Sequence, residues 1–152
     1  MTRANGAYDF PLYLRAGSAL PFNARSPEIW ADDWKTDDLL RPQRQGWLVG
    51  AGRGLSSQSI ASQGATLTAR TSAAGATTLT IAHALREQQI LVYPAAPGCH
   101  VTVAGKPVPR LGLASLKHAG SGWAVQGERL VIKAAASPRT LHVDVAPCAV
   151  SA

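Results

Sequence analysis

The sequence predicts an all-β protein, an antiparallel β-sandwich with a short helix near residues 27–34. Three observations favour this fold. Apolar and polar residues alternate in short stretches that recur about every 10–12 residues from residue 65 onward, which is the spacing of a sandwich. Charged residues make up only 16% of the chain, so Ser, Thr, Gln and Ala supply much of the surface, as they do on exposed strands. The 152 residues are enough to bury a core without disulfide bonds.

The N-terminal part of the chain contains a predicted strand, a predicted helix and a second predicted strand. Residues 10–15 are a short apolar run that ends in small residues, which is typical of a strand. Ser26 is a suitable N-cap, with Pro27 at the first helical position and Glu28 in the first turn, so a short helix is expected to begin here. Residues 46–49 return to an apolar strand pattern.

The C-terminal part follows a segment that is predicted to be a loop. Residues 54–64 are rich in Gly, Ser and Gln, which favours a loop. Residues 90–93 are apolar without interruption, which predicts a strand covered on both faces. Residues 104–106 have the pattern of a hairpin turn. The pattern of residues 108–118 is ambiguous and is compatible with one helical turn. The predicted strands after the loop include residues 67–69, 79–81, 90–93, 101–103, 130–133 and 141–145.

The charges and cysteines of the chain exclude several classes of function. The net charge of +6 comes from cations that are scattered singly, whereas nucleic-acid surfaces concentrate them, so no nucleic-acid partner is expected. The polar start is no secretion signal and no segment has the apolar length of a membrane span, so the sequence predicts a soluble, cytoplasmic protein without a membrane partner. Cys99 and Cys148 are predicted to be free thiols of a reducing compartment, with a disulfide between them as the alternative.

No arrangement of catalytic or metal-binding residues stands out in the sequence. The glycine-rich segment 50–54 lacks the spacing of a phosphate-binding loop. The four histidines fall on separate predicted elements without metal-ligand spacing, and surface positions or hydrogen-bonded polar roles are expected for them. The sequence therefore predicts no catalytic residue, no metal and no cofactor. The histidines are His83, His100, His118 and His142.

The segment 30–38 has the densest chemistry of the chain, with two Trp and four Asp residues. Indole rings stack on sugars and carboxylates accept hydrogen bonds from sugar hydroxyls, so this segment supplies candidate carbohydrate-binding residues. Paired carboxylates for glycoside hydrolysis and a calcium site are two alternatives. A structural role, in which the rings cover the sheet and the aspartates face solvent or arginines, is the favoured interpretation. The candidate residues are Trp30, Asp32, Asp33 and Trp34.

Two further tryptophans, Trp47 and Trp123, lie in or beside predicted strands. A large aromatic ring on a strand is more often part of the core than of a binding site. Core packing is therefore expected for both.

Several segments of the sequence resemble the C-terminal end of family 31 glycoside hydrolases. Residues 10–22, with an apolar strand followed by Arg15-Ala16-Gly17 and a turn at proline, resemble the start of the proximal C-terminal β-domain of that family. Residues 89–93, 101–108 and 122–123 resemble its distal C-terminal β-domain. The resemblance covers almost the whole chain.

This resemblance implies a place beside a catalytic barrel that hydrolyses α-O-glycosidic bonds, such as those of α-glucosides or α-xylosides. The family carries its catalytic aspartates on that barrel, and no residue here matches them. The expected domain division is 1–53 as the proximal segment, 54–64 as a loop and 65–147 as the distal β-sandwich, with one compact unit over 8–147 as the alternative.

Three functions follow as hypotheses. The first is a non-catalytic accessory domain with a catalytic barrel domain or subunit as partner. The second is a stand-alone carbohydrate-binding module for α-linked oligosaccharides. The third is a protein-interaction or self-assembly module, which includes a homo-oligomer.

Overall fold

The computed structural model describes residues 17–23, 44–51, 56–62, 64–93 and 98–147. Most of these residues lie in two β-sheets. In chain order the elements are β1 (Ala19–Asn23), β2 (Arg44–Gly50), β3 (Ser56–Ser62), β4 (Ala65–Thr71), β5 (Thr77–Ala82), β6 (Glu87–Tyr93), β7 (Gly98–Val103), β8 (Lys106–Pro107), α1 (Leu113–Leu116), β9 (Gly122–Gln126), β10 (Arg129–Ala134) and β11 (Leu141–Pro147).

One sheet has five strands in the order β1-β2-β6-β10-β9, and the other has six in the order β3-β4-β5-β11-β7-β8. Neighbouring strands are antiparallel, with the exception of β2 and β6, which run parallel over seven residue pairs from Arg44–Glu87 to Gly50–Tyr93. A parallel pair needs a long crossover connection. Here the crossover consists of β3, β4 and β5, which are built into the opposite sheet before the chain returns to the first as β6.

The main core lies between the two sheets and is formed by alternate side chains of each strand. In β5, for example, Leu79 and Ile81 are buried while Thr78 and Thr80 between them are half-buried on the outer face. Trp47 of β2 is buried in the same core. The largest side chains that are fully buried there are Trp47, Leu67, Leu79, Ile81, Ile90, Leu130 and Ile132.

The predicted all-β sandwich is confirmed. The predicted strands at 46–49, 67–69, 79–81, 90–93, 101–103, 130–133 and 141–145 correspond to β2, β4, β5, β6, β7, β10 and β11. The hairpin between β7 and β8 turns at Ala104 and Gly105, whose φ angles of 52° and 75° give the twist that a two-residue hairpin needs. The helical turn expected within residues 108–118 is α1.

The loop predicted over residues 54–64 is wrong for most of its length, because β3 occupies Ser56–Ser62 and pairs with β4 in continuous register. The strand was missed because of its place at the edge of a sheet. Only Ile60 among its described side chains packs against the core. It is also the only β-branched residue of the strand, so the composition that is typical of strands is absent.

Strand β1 was also not predicted, because Pro21 suggested a turn. Proline cannot donate to a ladder of hydrogen bonds, but an edge strand needs donors on one side only. β1 is such an edge strand, with Pro21 opposite Trp47 of β2.

Some expectations fall outside the described residues. These are the strand at 10–15, the helix near 27–34 and Cys148, and the side chain of Cys99 is not described either. The domain division stays a prediction, although β1 and β2 share one sheet with β6, β9 and β10. No helix within the described ranges is long and apolar enough to span a membrane.

Candidate functional site

The four predicted carbohydrate-binding residues lie outside the described part of the chain. They are Trp30, Asp32, Asp33 and Trp34. The sugar site on this segment therefore stays a prediction.

The two other tryptophans are buried in the core, as expected. The Trp47 Nε1 donates a hydrogen bond of 2.7 Å to Oε1 of Gln88, which is also buried. The Trp123 Nε1 donates at 3.2 Å to the carbonyl oxygen of Val108, and the Arg110 guanidinium carbon lies 5.4 Å from the centroid of the Trp123 ring. Neither ring offers a free face for stacking on a sugar.

The described carboxylates are too far apart for glycoside hydrolysis. Glu87 begins β6, whereas Glu128 precedes Arg129, whose Nη1 contacts the Tyr93 hydroxyl at the other end of β6. Seven residues of strand separate these ends by about 20 Å. Asp144 lies on the outer face of the other sheet. Two catalytic carboxyls stand about 5–10 Å apart across a sugar, and no described pair does so.

The four histidines are exposed, which agrees with the expected surface positions. In the described ranges no three His, Cys, Asp or Glu side chains come together as a possible metal site. The histidines are His83, His100, His118 and His142.

The five-stranded sheet has a second apolar face, directed away from the main core. One apolar residue from each strand forms a row across this outer face, because the strand register aligns them. We call it the outer row, and its members from β1 to β9 are Leu20, Leu48, Leu91, Val131 and Ala124. The outer row explains the uninterrupted apolar run of β6, whose Ile90 and Val92 face the main core while Leu91 faces outward.

Helix α1 covers one end of the outer row. Leu116 of α1 is buried against Leu91, Val131 and Ala124 in a second hydrophobic cluster. The close approach depends on Gly122, since a Cβ atom there would lie 2.9 Å from Leu111 Cδ1, 3.1 Å from Leu116 Cδ1 and 3.3 Å from the Pro109 carbonyl oxygen.

A buried lysine contacts the C-terminal end of α1. The Nζ atom of Lys133, on the outer face of β10, donates at 2.8 Å to the Lys117 carbonyl oxygen and at 3.4 Å to that of Leu116. These carbonyls lie at the C-terminal end of α1, where helix carbonyls lack intrahelical partners and a cation is favourable. Glu87 Oε1 lies 3.7 Å from the same Nζ.

Gln89 lies beside Lys133 on the outer face and is only 1% exposed. Among the described residues, neither its Nε2 nor its Oε1 has a hydrogen-bond partner. A buried amide without partners is costly, so this position is one where a bound water or another polar group would stabilise the chain. Gly46 of β2 is its register neighbour on the other side.

The β1 end of the outer row is open. Leu20 is 40% exposed and Leu48 is half-buried, whereas Leu91 and Val131 are buried under the α1 end. Two other large apolar side chains of the described ranges are exposed: Leu85, in the turn before β6, and Val125, on β9 at the opposite edge of the sheet. The exposed end of the outer row is therefore the candidate docking surface of the described chain.

The outer face of the six-stranded sheet is polar and carries no aromatic platform. Its rows are rich in hydroxyls, as in Ser59, Thr68 and Thr80, which are neighbours in register. The Ser59 and Thr68 hydroxyls are 3.2 Å apart. The described strands of this sheet contain no Trp, Tyr or Phe, so stacking on sugars is not available there.

Comparison with known proteins identifies the fold. No protein-family model and no curated protein matched the sequence. Among solved structures, the cycloalternan-forming enzyme of Listeria monocytogenes, in complex with its pentasaccharide substrate, is similar with a TM-score of 0.73 and 17% identity, over 86% of this chain and 13% of the enzyme. The GH31 dextranase of Flavobacterium johnsoniae, complexed with glucose, is similar with a TM-score of 0.63 and 10% identity, over 87% of this chain and 19% of the dextranase.

This chain has the fold of one part of a family 31 glycoside hydrolase. The resemblance read from the sequence is thus confirmed at the level of fold. The chain spans only 13–19% of the length of these two enzymes, so most of each enzyme has no counterpart in this chain.

Proposed function

We propose that the chain is a non-catalytic accessory β-domain of a family 31-like glycoside hydrolase, whose catalytic barrel hydrolyses α-O-glycosidic bonds. The observation that carries the proposal is the similarity of 86–87% of the chain to a small part of two large enzymes. Among the residues that the structure describes, Glu87, Glu128 and Asp144 do not form the pair of carboxyls that glycoside hydrolysis needs.

The outer row is the surface that fits this role. A sheet that is apolar on both faces needs a layer over each of them. The main core covers one face and α1 covers part of the other, but Leu20 at the open end keeps 40% of its surface in solvent. We propose that the catalytic barrel, as a domain or a subunit, packs over the open end.

Replacing Leu20 by glutamate tests this surface. We expect the affinity of the chain for the family 31 catalytic barrel encoded in the same genome to fall about ten-fold or more, because the carboxylate would have to lose its water in the interface. The affinity is measured by isothermal titration calorimetry of the separately produced barrel with the chain. The fold should be retained, since Leu20 lies on an exposed edge strand.

Val125→Glu is the matched control, with the same charge at a similarly exposed apolar residue on the opposite edge of the sheet. Wild-type affinity is expected for this variant. If the wild-type chain binds no such barrel, the accessory role is wrong. If it binds and both variants bind equally well, only the docking surface is wrong.

Sugar binding by the chain alone is the competing function, based on the predicted site at Trp30, Asp32, Asp33 and Trp34. Tryptophan fluorescence separates the two functions, because Trp47 and Trp123 are buried and should not respond to a ligand at the surface. With α-gluco- and α-xylo-oligosaccharides, the accessory role predicts no saturable change. A saturable change that Trp30→Phe or Trp34→Phe removes would instead establish a carbohydrate-binding module.

A further inference from the structure

Three of the four sheet edges are protected against pairing with another strand. β1 contains Pro21, and β8 has only two residues, one of them Pro107. The edge of β9 is covered by the segment before α1, where the Trp123 N–H donates to the Pro109 carbonyl oxygen at 3.1 Å and the Leu111 N–H donates to the Trp123 carbonyl oxygen at 2.8 Å. Prolines, short strands and covering segments are the usual devices that prevent edge-to-edge association.

β3 is the fourth edge, and the described residues give it none of these devices. Its seven residues, Ser56–Ser62, contain no proline and no charged residue. In the part of the chain that the structure describes, it pairs only with β4, in a continuous register without a bulge. A seven-residue edge without charge, proline or bulge offers its second row of backbone N–H and C=O groups to another strand.

We propose that β3 pairs in antiparallel fashion with β3 of a second copy of this chain, around a two-fold axis at Ser59. The two six-stranded sheets then join into one sheet of twelve strands. A two-fold axis requires a self-complementary edge, and a strand that meets its own copy antiparallel satisfies this condition.

The residues of β3 suit this pairing. Ser59 meets Ser59 of the second copy, Gln58 is opposite Ile60, and Ser57 is opposite Ala61. No pair contains a charge. Ile60 is only half-buried at the edge although it packs against the main core. A strand added beside it would cover more of its apolar surface, which favours association.

The positive charge of the chain does not prevent the pairing. In the described part of the chain, the cation that is closest to β3 in register is Arg70, opposite Ser57 on β4. In the dimer, Arg70 and its copy are separated by three strand spacings and by about four residues along the strands, or roughly 20 Å. That distance exceeds the Debye length of about 8 Å at physiological salt.

A single pair of strands makes an interface below the standard size, so the dimer should be weak and dependent on concentration. Sedimentation equilibrium of the chain from about 10 µM to about 1 mM covers the affinities expected of such an interface. We expect the weight-average mass to rise from that of a monomer toward that of a dimer. A monomer over the whole range overturns the proposal.

Charges at the two-fold axis test the register. Ser59→Lys and Ser59→Glu each place like charges opposite one another, so each variant alone should remain monomeric. An equimolar mixture should form a heterodimer at least about ten-fold more tightly than either variant pairs with itself. This rescue does not occur if the two copies meet through another surface.

Thr80→Lys is the matched control. Thr80 lies in the same row of the same outer face, two strands inside the edge, and receives the same charge. This variant should dimerise like the wild type. A dimer that survives Ser59→Lys, or one that is lost equally in Thr80→Lys, overturns the proposal, and neither result bears on binding to a catalytic barrel.

Discussion

Replacing Trp47 by alanine is expected to lower the free energy of unfolding by about 3–5 kcal/mol, which is the cost of removing a large aromatic side chain from a packed core. Trp47 is fully buried between the sheets. Its substitution also leaves Oε1 of Gln88 without the indole donor at 2.7 Å. Since small domains have only about 5–15 kcal/mol of stability in total, we expect a chain that is partly unfolded near 37 °C. Urea denaturation followed by circular dichroism measures the effect.

Trp47→Phe separates the two contributions. The phenyl ring retains most of the buried surface but has no N–H group, so about 1–3 kcal/mol should be lost for the unsatisfied Gln88 oxygen. Gln88 keeps its Nε2 bond of 2.7 Å to the Arg86 carbonyl oxygen, so the side chain cannot easily turn toward another donor. A loss below about 1 kcal/mol in Trp47→Ala would show that the β2–β6 pair does not depend on this ring.

The neighbourhood of Trp47 shows which parts of the fold can be predicted from sequence. The strand at 46–49 and the burial of Trp47 follow from local apolar pattern. The partner strand does not, because β2 pairs with β6 in parallel across a crossover of three strands. No local signal encodes a contact between residues as distant as Trp47 and Gln88, so the polar network around them could be found only in the folded chain.

Edge strands are the elements that sequence patterns miss. β1 and β3 lie at edges on the same side of the sandwich, and each contacts the core through few side chains. Pro21 and the serines of β3 are compatible with an edge but not with a central strand, so local composition favoured a turn and a loop. The proline of β1 protects its edge against pairing with another strand, whereas the serine-rich β3 has no proline and no charge to protect its edge.

The outer row was predictable in its parts but not as a surface. The apolar run at 90–93 predicted a strand covered on both faces, and Leu91 and Val131 are buried on the outer face accordingly. That Leu20 and Leu48 continue the same row depends on the register between β1, β2 and β6, which the sequence does not contain. The candidate docking surface therefore emerges only from the strand register.

The outer row and α1 also connect stability with the proposed function. α1 has only four residues, too few to be stable alone, so it depends on its contacts with the sheet. If α1 left the sheet, Leu91, Val131 and Ala124 would lose their cover. The extent of the apolar surface that a barrel could contact is thus set by the interactions that hold this short helix.

Replacing Lys133 by methionine should release α1 while the sandwich stays folded. Methionine fills a similar volume but cannot donate to the Leu116 and Lys117 carbonyl oxygens, and it leaves Glu87 without this cation. We expect a loss of about 2–4 kcal/mol, since hydrogen bonds from a buried charged donor contribute more than neutral ones. Hydrogen exchange measured by mass spectrometry should be faster in the variant than in the wild type at residues 113–121, and unchanged in β5 and β11.

Two further variants identify which contact of Lys133 matters. Lys106→Met, at the exposed start of β8, removes the same charge and should leave exchange at α1 unchanged. Glu87→Gln should cost less than about 1 kcal/mol, because this carboxylate is partly exposed and lies 3.7 Å from the Nζ, so the ion pair is weak. If Glu87→Gln instead releases α1 as fully as Lys133→Met does, the ion pair positions the lysine, and the carbonyl contacts are its consequence. If neither Lys133→Met nor Glu87→Gln changes exchange at α1, the apolar contacts of Leu116 with the outer row hold the helix by themselves.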